Sequence, residues 1–162
     1  MKYRYLFLIM LINFIIQSTI LQNFRVFGVV PNTALILVVI ITVLYGTAEG
    51  LKTAATAGIM QDMFLSPALG MNLFIYMSLA FLIGMAEDGL FKDNVLTPII
   101  LISISTLYYH ILHFGVMYFL RQGSDFMYIL KNVYVLETML NIAICLLVYR
   151  RVFSRVYGYE LR

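Results

Sequence analysis

Six apolar runs, separated by short polar or glycine- and proline-containing breaks, set the pattern of the chain. A helix needs about 20 predominantly apolar residues to cross the hydrocarbon core of a bilayer. The pattern therefore predicts six transmembrane spans, at about residues 5–22, 31–45, 50–66, 69–86, 95–120 and 133–149. The third span is the weakest, because polar residues dilute it: Lys52, Thr53, Thr56, Gln61 and Asp62.

Composition assigns the chain to the membrane. Of its 162 residues, 62% are hydrophobic and 12% are charged, against about 25% charged in an average soluble domain. We predict an all-α integral membrane protein, a six-transmembrane-helix bundle with a single transmembrane domain over residues 1–162. The basic and apolar N-terminus has no small-residue cleavage site and is interpreted as a retained first span. The single cysteine, Cys145, excludes an internal disulfide.

Basic residues set the predicted orientation, because cytoplasmic segments are enriched in Lys and Arg. With six spans, eight basic residues share the side of the two termini and three lie on the other side. The eight are Lys2, Arg4, Lys52, Lys92, Arg150, Arg151, Arg155 and Arg162, and the three are Arg25, Arg121 and Lys131. Both termini are therefore expected in the cytoplasm. The net charge of +3 does not indicate nucleic-acid binding, since the basic residues cluster at helix ends.

Titratable residues inside the spans fall at one depth under this topology. Ionisable side chains in a membrane are costly and usually face the bundle interior. Asp62, His110, His113 and Glu137 all lie toward the outer ends of their spans. Spacings of three and four residues place polar side chains on stripes, with Asn13 and Gln17 on span one, Ser103, Thr106, His110 and His113 on span five, and Tyr134, Glu137, Asn141 and Cys145 on span six. We expect a modest polar interior that opens outward, and a nearly featureless second span that faces lipid.

Several interpretations of the outer polar cluster, defined as His110, His113, Glu137 and Asn141, stay open. The plainest is a set of interhelical hydrogen bonds worth about 0.5–2 kcal/mol each. A metal site would combine His110, His113, Asp62 and Glu137, an acceptable ligand set for zinc, although no local motif supports it. Catalysis is disfavoured, because the sequence has no nucleophile elbow, phosphate loop or paired-acid motif. We expect no enzyme activity, no metal and no cofactor.

Small residues recur every four positions along span three and end in an acid: Gly46, Gly50, Ala54, Gly58 and Asp62. A face of small residues lets helix backbones approach closely in lipid. Gly50, Ala54, Gly58 and Asp62 are therefore interpreted either as a packing face within the chain or as a docking face for a partner helix.

The order of these features resembles the bacterial rod shape-determining protein MreD family over Val29 to Asn94, from VVPNTALILVVIITVLYG through AGIMQDMFLSPALGMN to the loop EDGLFKDN. The family pattern falls on Pro31, Gly46, Gly58, Asp62, Pro67, Gly70 and Gly84, and Asn141 fits the family's final helix. The acid that follows the first proline in the family is replaced by Asn32, which puts a carboxylate role there in doubt.

The resemblance implies a non-enzymatic scaffold of the cell-elongation (Rod) complex in the bacterial cytoplasmic (inner) membrane, involved in cell shape and peptidoglycan synthesis. It implies the single-span protein MreC as partner and, indirectly, the MreB filament and the wall synthases. It also implies a fold like that of the substrate-binding subunits of energy-coupling-factor transporters. The rival interpretation is such a vitamin-binding subunit itself. Those subunits usually carry an Ala-xxx-Ala pair on the first helix, and span one, YLFLIMLINFIIQSTILQ, contains no alanine.

Overall fold

A computed structural model describes residues 3–23, 25, 27–66, 68–86, 89–121 and 133–158. The sequence-based assignments on Lys2, Pro67, Lys131 and Arg162 lie outside these described residues. The described residues form six helices and no strand, which confirms the predicted all-helical architecture. The helices are α1 (Tyr3–Asn23), α2 (Thr33–Tyr45), α3 (Thr47–Phe64), α4 (Met71–Ala86), α5 (Leu96–Phe119) and α6 (Val135–Tyr157).

Two of these helices, α1 and α5, are long and apolar enough to cross a membrane by length and composition. Helices α2 and α4 are apolar but shorter. Each predicted span corresponds to one helix, with ends that shift by a few residues. The largest difference is at the end of α6, which continues to Tyr157 where the predicted span ended at about residue 149. Within α1, residues Ile16–Ile20 form a π-helical turn, a wider turn that often occurs near functional positions.

Helix α2 lies at the centre of the bundle and contacts each of the other five helices. Ten of its 13 residues are buried, so the expectation that the second span faces lipid is wrong. A helix that is apolar on all sides is compatible with either environment, because lipid tails are as apolar as the side chains of a protein interior. The absence of polar residues therefore could not distinguish lipid from protein around this helix.

The small residues of α3 face its neighbours in the same chain. A Cβ added at Gly50 would overlap the Thr42 side chain of α2, and one added at Gly58 would overlap the Leu73 backbone of α4. Ala54, between them, is fully buried. Because these small residues are covered by α2 and α4, the geometry is that of a packing face within the chain and not that of a docking face for a partner helix.

Contacts between described residues hold the ends of the first four helices close together. Gly46 alone separates α2 from α3, and its φ of 90° is a conformation that residues with a side chain rarely adopt. The end of α3 meets the start of α4 through Asp62 and Asn72. The start of α2 meets the end of α1 through Thr33 and Gln17. One end of the bundle thus gathers the last turns of α1 and α3 with the first turns of α2 and α4.

Candidate functional site

Polar side chains from all six helices gather at this end of the bundle. They line a cavity of about 220 Å³. The contributors include Gln17 of α1, Asn32 at the start of α2, Gln61 of α3, Asn72 of α4, His113 of α5 and Glu137 of α6. The cavity therefore depends on the relative placement of every helix in the bundle.

Asn32 connects the start of α2 to two other helices. Its Oδ1 accepts the Leu35 backbone N–H at 3.0 Å and so caps α2, as asparagine commonly does at this position. Its own backbone N–H donates to Asn141 Oδ1 at 2.9 Å. The Tyr76 hydroxyl of α4 lies 3.1 Å from the same Oδ1. An amide at this position thus serves as cap and as crosslink without the acid that the family pattern carries.

A network of side-chain hydrogen bonds continues from Asn32 to residues of three other helices. The hydroxyl of fully buried Tyr76 lies 2.7 Å from Gln61 Oε1, so its one proton is shared between Gln61 and Asn32. Gln61 Nε2 in turn donates to Gln17 Oε1 at 3.3 Å. The same Gln17 oxygen accepts the Thr33 hydroxyl at 3.1 Å. These bonds connect α1, α2, α3 and α4 at one level.

Asp62 holds the first turn of α4. Its Oδ1 accepts from the Asn72 backbone N–H at 2.9 Å and from Asn72 Nδ2 at 3.0 Å, and its Oδ2 accepts from the Leu73 backbone N–H at 2.9 Å. The first N–H groups of a helix have no partner within that helix, and the helix dipole favours a negative charge beside them. Within the described residues Asp62 forms no ion pair. Its carboxylate acts as a helix cap supplied by the preceding helix.

The structure connects the outer polar cluster in pairs. His110 Nε2 and Glu137 Oε2 are 3.0 Å apart, and both side chains are largely buried. Asn141 Nδ2 donates to Thr106 Oγ1 at 3.2 Å. His113 lines the cavity, and its ring centroid lies 5.6 Å from that of Tyr109. The polar stripes predicted on spans five and six therefore meet each other along α5 and α6.

The four side chains of the metal alternative are not brought together. Asp62 is bound to the start of α4, whereas Glu137 is bound to His110. In the part of the chain that the structure describes, no group of three or more His, Cys, Asp or Glu side chains could hold a metal ion. The geometry is that of pairwise hydrogen bonds around a small cavity.

A separate charged pair lies near the start of α3, more than two turns of helix from Asp62. Lys52 Nζ is 2.8 Å from Glu49 Oε1. The hydrogen bond and positive charge of Lys52 lower the pKa of the Glu49 carboxyl below its ordinary value. Lys52 is one of the eight basic residues predicted to lie on the same side of the membrane as the two termini. Neither residue of the pair lines the cavity.

Sequence reasoning missed several residues of the site. Asn72 and Tyr109, which line the cavity, and Tyr76, which is hydrogen-bonded to two lining residues, were not singled out. Asn32 and Gln61 were noted only for other reasons. The available signal was a polar residue within a few positions of a span end, as for Asn32, Gln61 and Asn72. Such residues are equally common at a membrane surface, where they need no partner. Tyr76 and Tyr109 lie inside apolar runs and gave no signal.

Comparison with known proteins identifies the family of the chain. A sequence model of the family described as rod shape-determining protein MreD matches residues 1–154. The matched region contains α1 to α5 and most of α6. No curated protein and no solved structure matches the chain.

Proposed function

Because the chain belongs to the rod shape-determining protein MreD family, we propose that it is a non-enzymatic scaffold of the bacterial cell-elongation (Rod) complex. The match over residues 1–154 is the observation that carries this proposal. The family is one of shape-determining proteins and is not a known enzyme family. In this role the protein supports peptidoglycan synthesis by joining other components, without chemistry of its own.

The proposed location is the bacterial inner membrane, with six crossings and both termini in the cytoplasm. The eight-to-three distribution of basic residues supports this orientation. Helix α2, with 13 residues, is about 20 Å long, shorter than the hydrocarbon core of about 30 Å. Its burial along most of its length supports a crossing nonetheless, because the surrounding helices rather than lipid cover it.

The proposed partner is the single transmembrane helix of an MreC-like protein. The small-residue face of α3 is covered by α2 and α4, so an external helix must use another surface. We propose that it binds in a groove of about 590 Å³ on the surface of the bundle. Apolar side chains of α3 and α4 line this groove, including Leu51, Leu73, Phe74, Met77 and Phe81. Helices associate in lipid through close packing, and a concave apolar groove supports that packing better than a convex surface.

Deletion of the gene tests the function, and substitution in the groove tests the surface. Deletion should make rod-shaped cells round or wide, and the wild-type gene should restore their shape. Met77→Trp fills the groove and should reduce co-purification of MreC. Met139→Trp, the same change at a methionine of α6 that is 65% exposed, should leave the recovery of MreC unchanged.

The two outcomes are separable once both variants are shown to accumulate in the membrane. Normal rods after deletion would contradict the role in cell shape. Full recovery of MreC with Met77→Trp would contradict only the choice of groove.

The vitamin-binding alternative gains no support from the cavity. Its volume of about 220 Å³ is below the range of about 300–1,000 Å³ typical of sites for drug-sized ligands. Purified protein is therefore expected to show no nanomolar binding of riboflavin, thiamine or biotin.

A further inference from the structure

Two buried side chains of the cavity each have one polar atom without a partner among the described residues. Asn32 is 7% exposed and Glu137 is 6% exposed. Asn32 uses its backbone N–H and its Oδ1, whereas its Nδ2 donates to none of the described residues. Glu137 Oε2 is bound to His110, whereas Oε1 accepts from no described residue. One amide donor and one carboxylate acceptor therefore remain in the same cavity.

These two atoms are open to the cavity rather than sealed in the protein. Neither is among the fully buried polar atoms that lack a partner, so both reach accessible space, and both residues line the cavity. Buried polar groups in native proteins are almost always hydrogen-bonded to protein or to an ordered small molecule. The surrounding amides obey this rule closely, which makes the leftover donor and acceptor informative.

The cavity wall favours a positive charge on its occupant. Among the described residues that line the cavity, Glu137 is the one carboxylate and none is Lys or Arg. The Tyr109 side chain also lines the cavity, and its ring is stacked on that of Tyr76 with 5.8 Å between the ring centroids. The described lining residues include too few His and acidic side chains to hold a metal ion, so an organic cation fits better.

We propose that this cavity binds a small organic amine that also carries an oxygen acceptor, the chemistry shared by amino acids and amino alcohols. The ammonium group donates to Glu137 Oε1, and the oxygen acceptor takes the free N–H of Asn32 Nδ2. The volume of about 220 Å³ equals that of roughly seven water molecules at about 30 Å³ each. A ligand of about that many non-hydrogen atoms therefore fits. Binding of such a molecule is separate from the scaffold role and does not depend on it.

Thermal unfolding of the full-length protein in lipid nanodiscs tests this site with alanine and ethanolamine as probes. A ligand that binds only the folded state raises its stability as the ligand concentration rises. Both probes should raise the unfolding midpoint of the wild-type protein. Acetate, which lacks the ammonium group, should not do so at equal concentration.

Two conservative variants locate the effect. Glu137→Gln removes the charge but keeps the size of the side chain. It should weaken the binding of both probes roughly tenfold or more. Glu49→Gln, the same change outside the cavity, should bind both as the wild type does. Asn32→Asp keeps the oxygen that caps α2 and replaces the free donor by an acceptor. Because the new carboxylate repels the carboxylate of alanine, the binding of alanine should weaken more than the binding of ethanolamine.

The result is decisive in each case. A midpoint that neither probe raises in the wild-type protein, or a rise that Glu137→Gln and Asn32→Asp leave unchanged, would overturn the proposal and leave the cavity filled with water only. Recovery of MreC is measured independently, so failure of this site would not touch the scaffold proposal.

Discussion

Substitution of Asp62 by asparagine tests the internal cap of α4 directly. The two carboxylate oxygens accept three hydrogen bonds, two from Asn72 and one from the Leu73 backbone. Asparagine has the same shape but only one accepting atom. If its oxygen faces Asn72, its new NH2 group faces the Leu73 N–H, and two donors meet where one bond existed. The substitution therefore removes a hydrogen bond and the negative charge together.

The expected cost follows from these two losses. An unsatisfied buried N–H costs about 1–3 kcal/mol, and loss of a charge beside a helix N-terminus costs about 0.3–1 kcal/mol. We expect Asp62→Asn to lower the free energy of unfolding by about 2.5 kcal/mol, and the unfolding midpoint by roughly 5–10 °C. A single neutral hydrogen bond between membrane helices contributes only about 0.6 kcal/mol on average, so the cap and a simple interhelical bond predict different results.

The assay is thermal unfolding of purified protein, combined with amide hydrogen exchange at the start of α4. Asp93→Asn is the matched control, because Asp93 forms no hydrogen bond or ion pair with the described residues. Its free energy of unfolding should stay within about 0.5 kcal/mol of the wild-type value. An Asp62→Asn protein as stable as this control, with the Asn72 and Leu73 amides still protected, would refute the capping role.

Three further predictions follow from the packing, the buried network and the topology. Gly58→Ala places a methyl group against the Leu73 backbone and should destabilise the protein by about 1–3 kcal/mol. The control Gly115→Ala places its methyl group in open space and should be neutral or stabilise α5 by up to about 1 kcal/mol. Equal unfolding midpoints of the two variants would contradict the close approach of α3 and α4. Tyr76→Phe leaves Gln61 Oε1 without its hydrogen-bond donor and should lower the free energy of unfolding by about 1–3 kcal/mol. The control Tyr118→Phe, at a tyrosine that is 67% exposed, should change it by less than about 0.5 kcal/mol. An equally small effect of both substitutions would show that the hydrogen-bond network does not stabilise the protein. A reporter fused to the C-terminus should fluoresce as a cytoplasmic fusion, and external phosphatase activity there would reverse the proposed orientation.

The sequence by itself determined the helices and the family. Long apolar runs separated by polar breaks are a local property, so the six predicted spans each correspond to one helix. Even the weakest, with Lys52 and Asp62, was located because its neighbours on both sides are strongly apolar. Ordered glycines and prolines carried the family resemblance, which the family match confirms. His110, Glu137 and Asn141 could be picked out because polar residues with helical spacing are conspicuous among apolar ones.

Only the tertiary structure decided what each helix contacts. An apolar side chain is equally compatible with lipid and with protein, so nothing in the sequence of α2 predicted that it lies at the centre, in contact with all five other helices. The same limit applied to Asp62, whose cap is formed with Asn72 and Leu73 across a chain reversal. The partners of Asn32 on α4 and α6 are 44 and 109 residues away. Such contacts depend on how the helices pack, because a hydrogen bond is set by distance in space and not by distance along the chain.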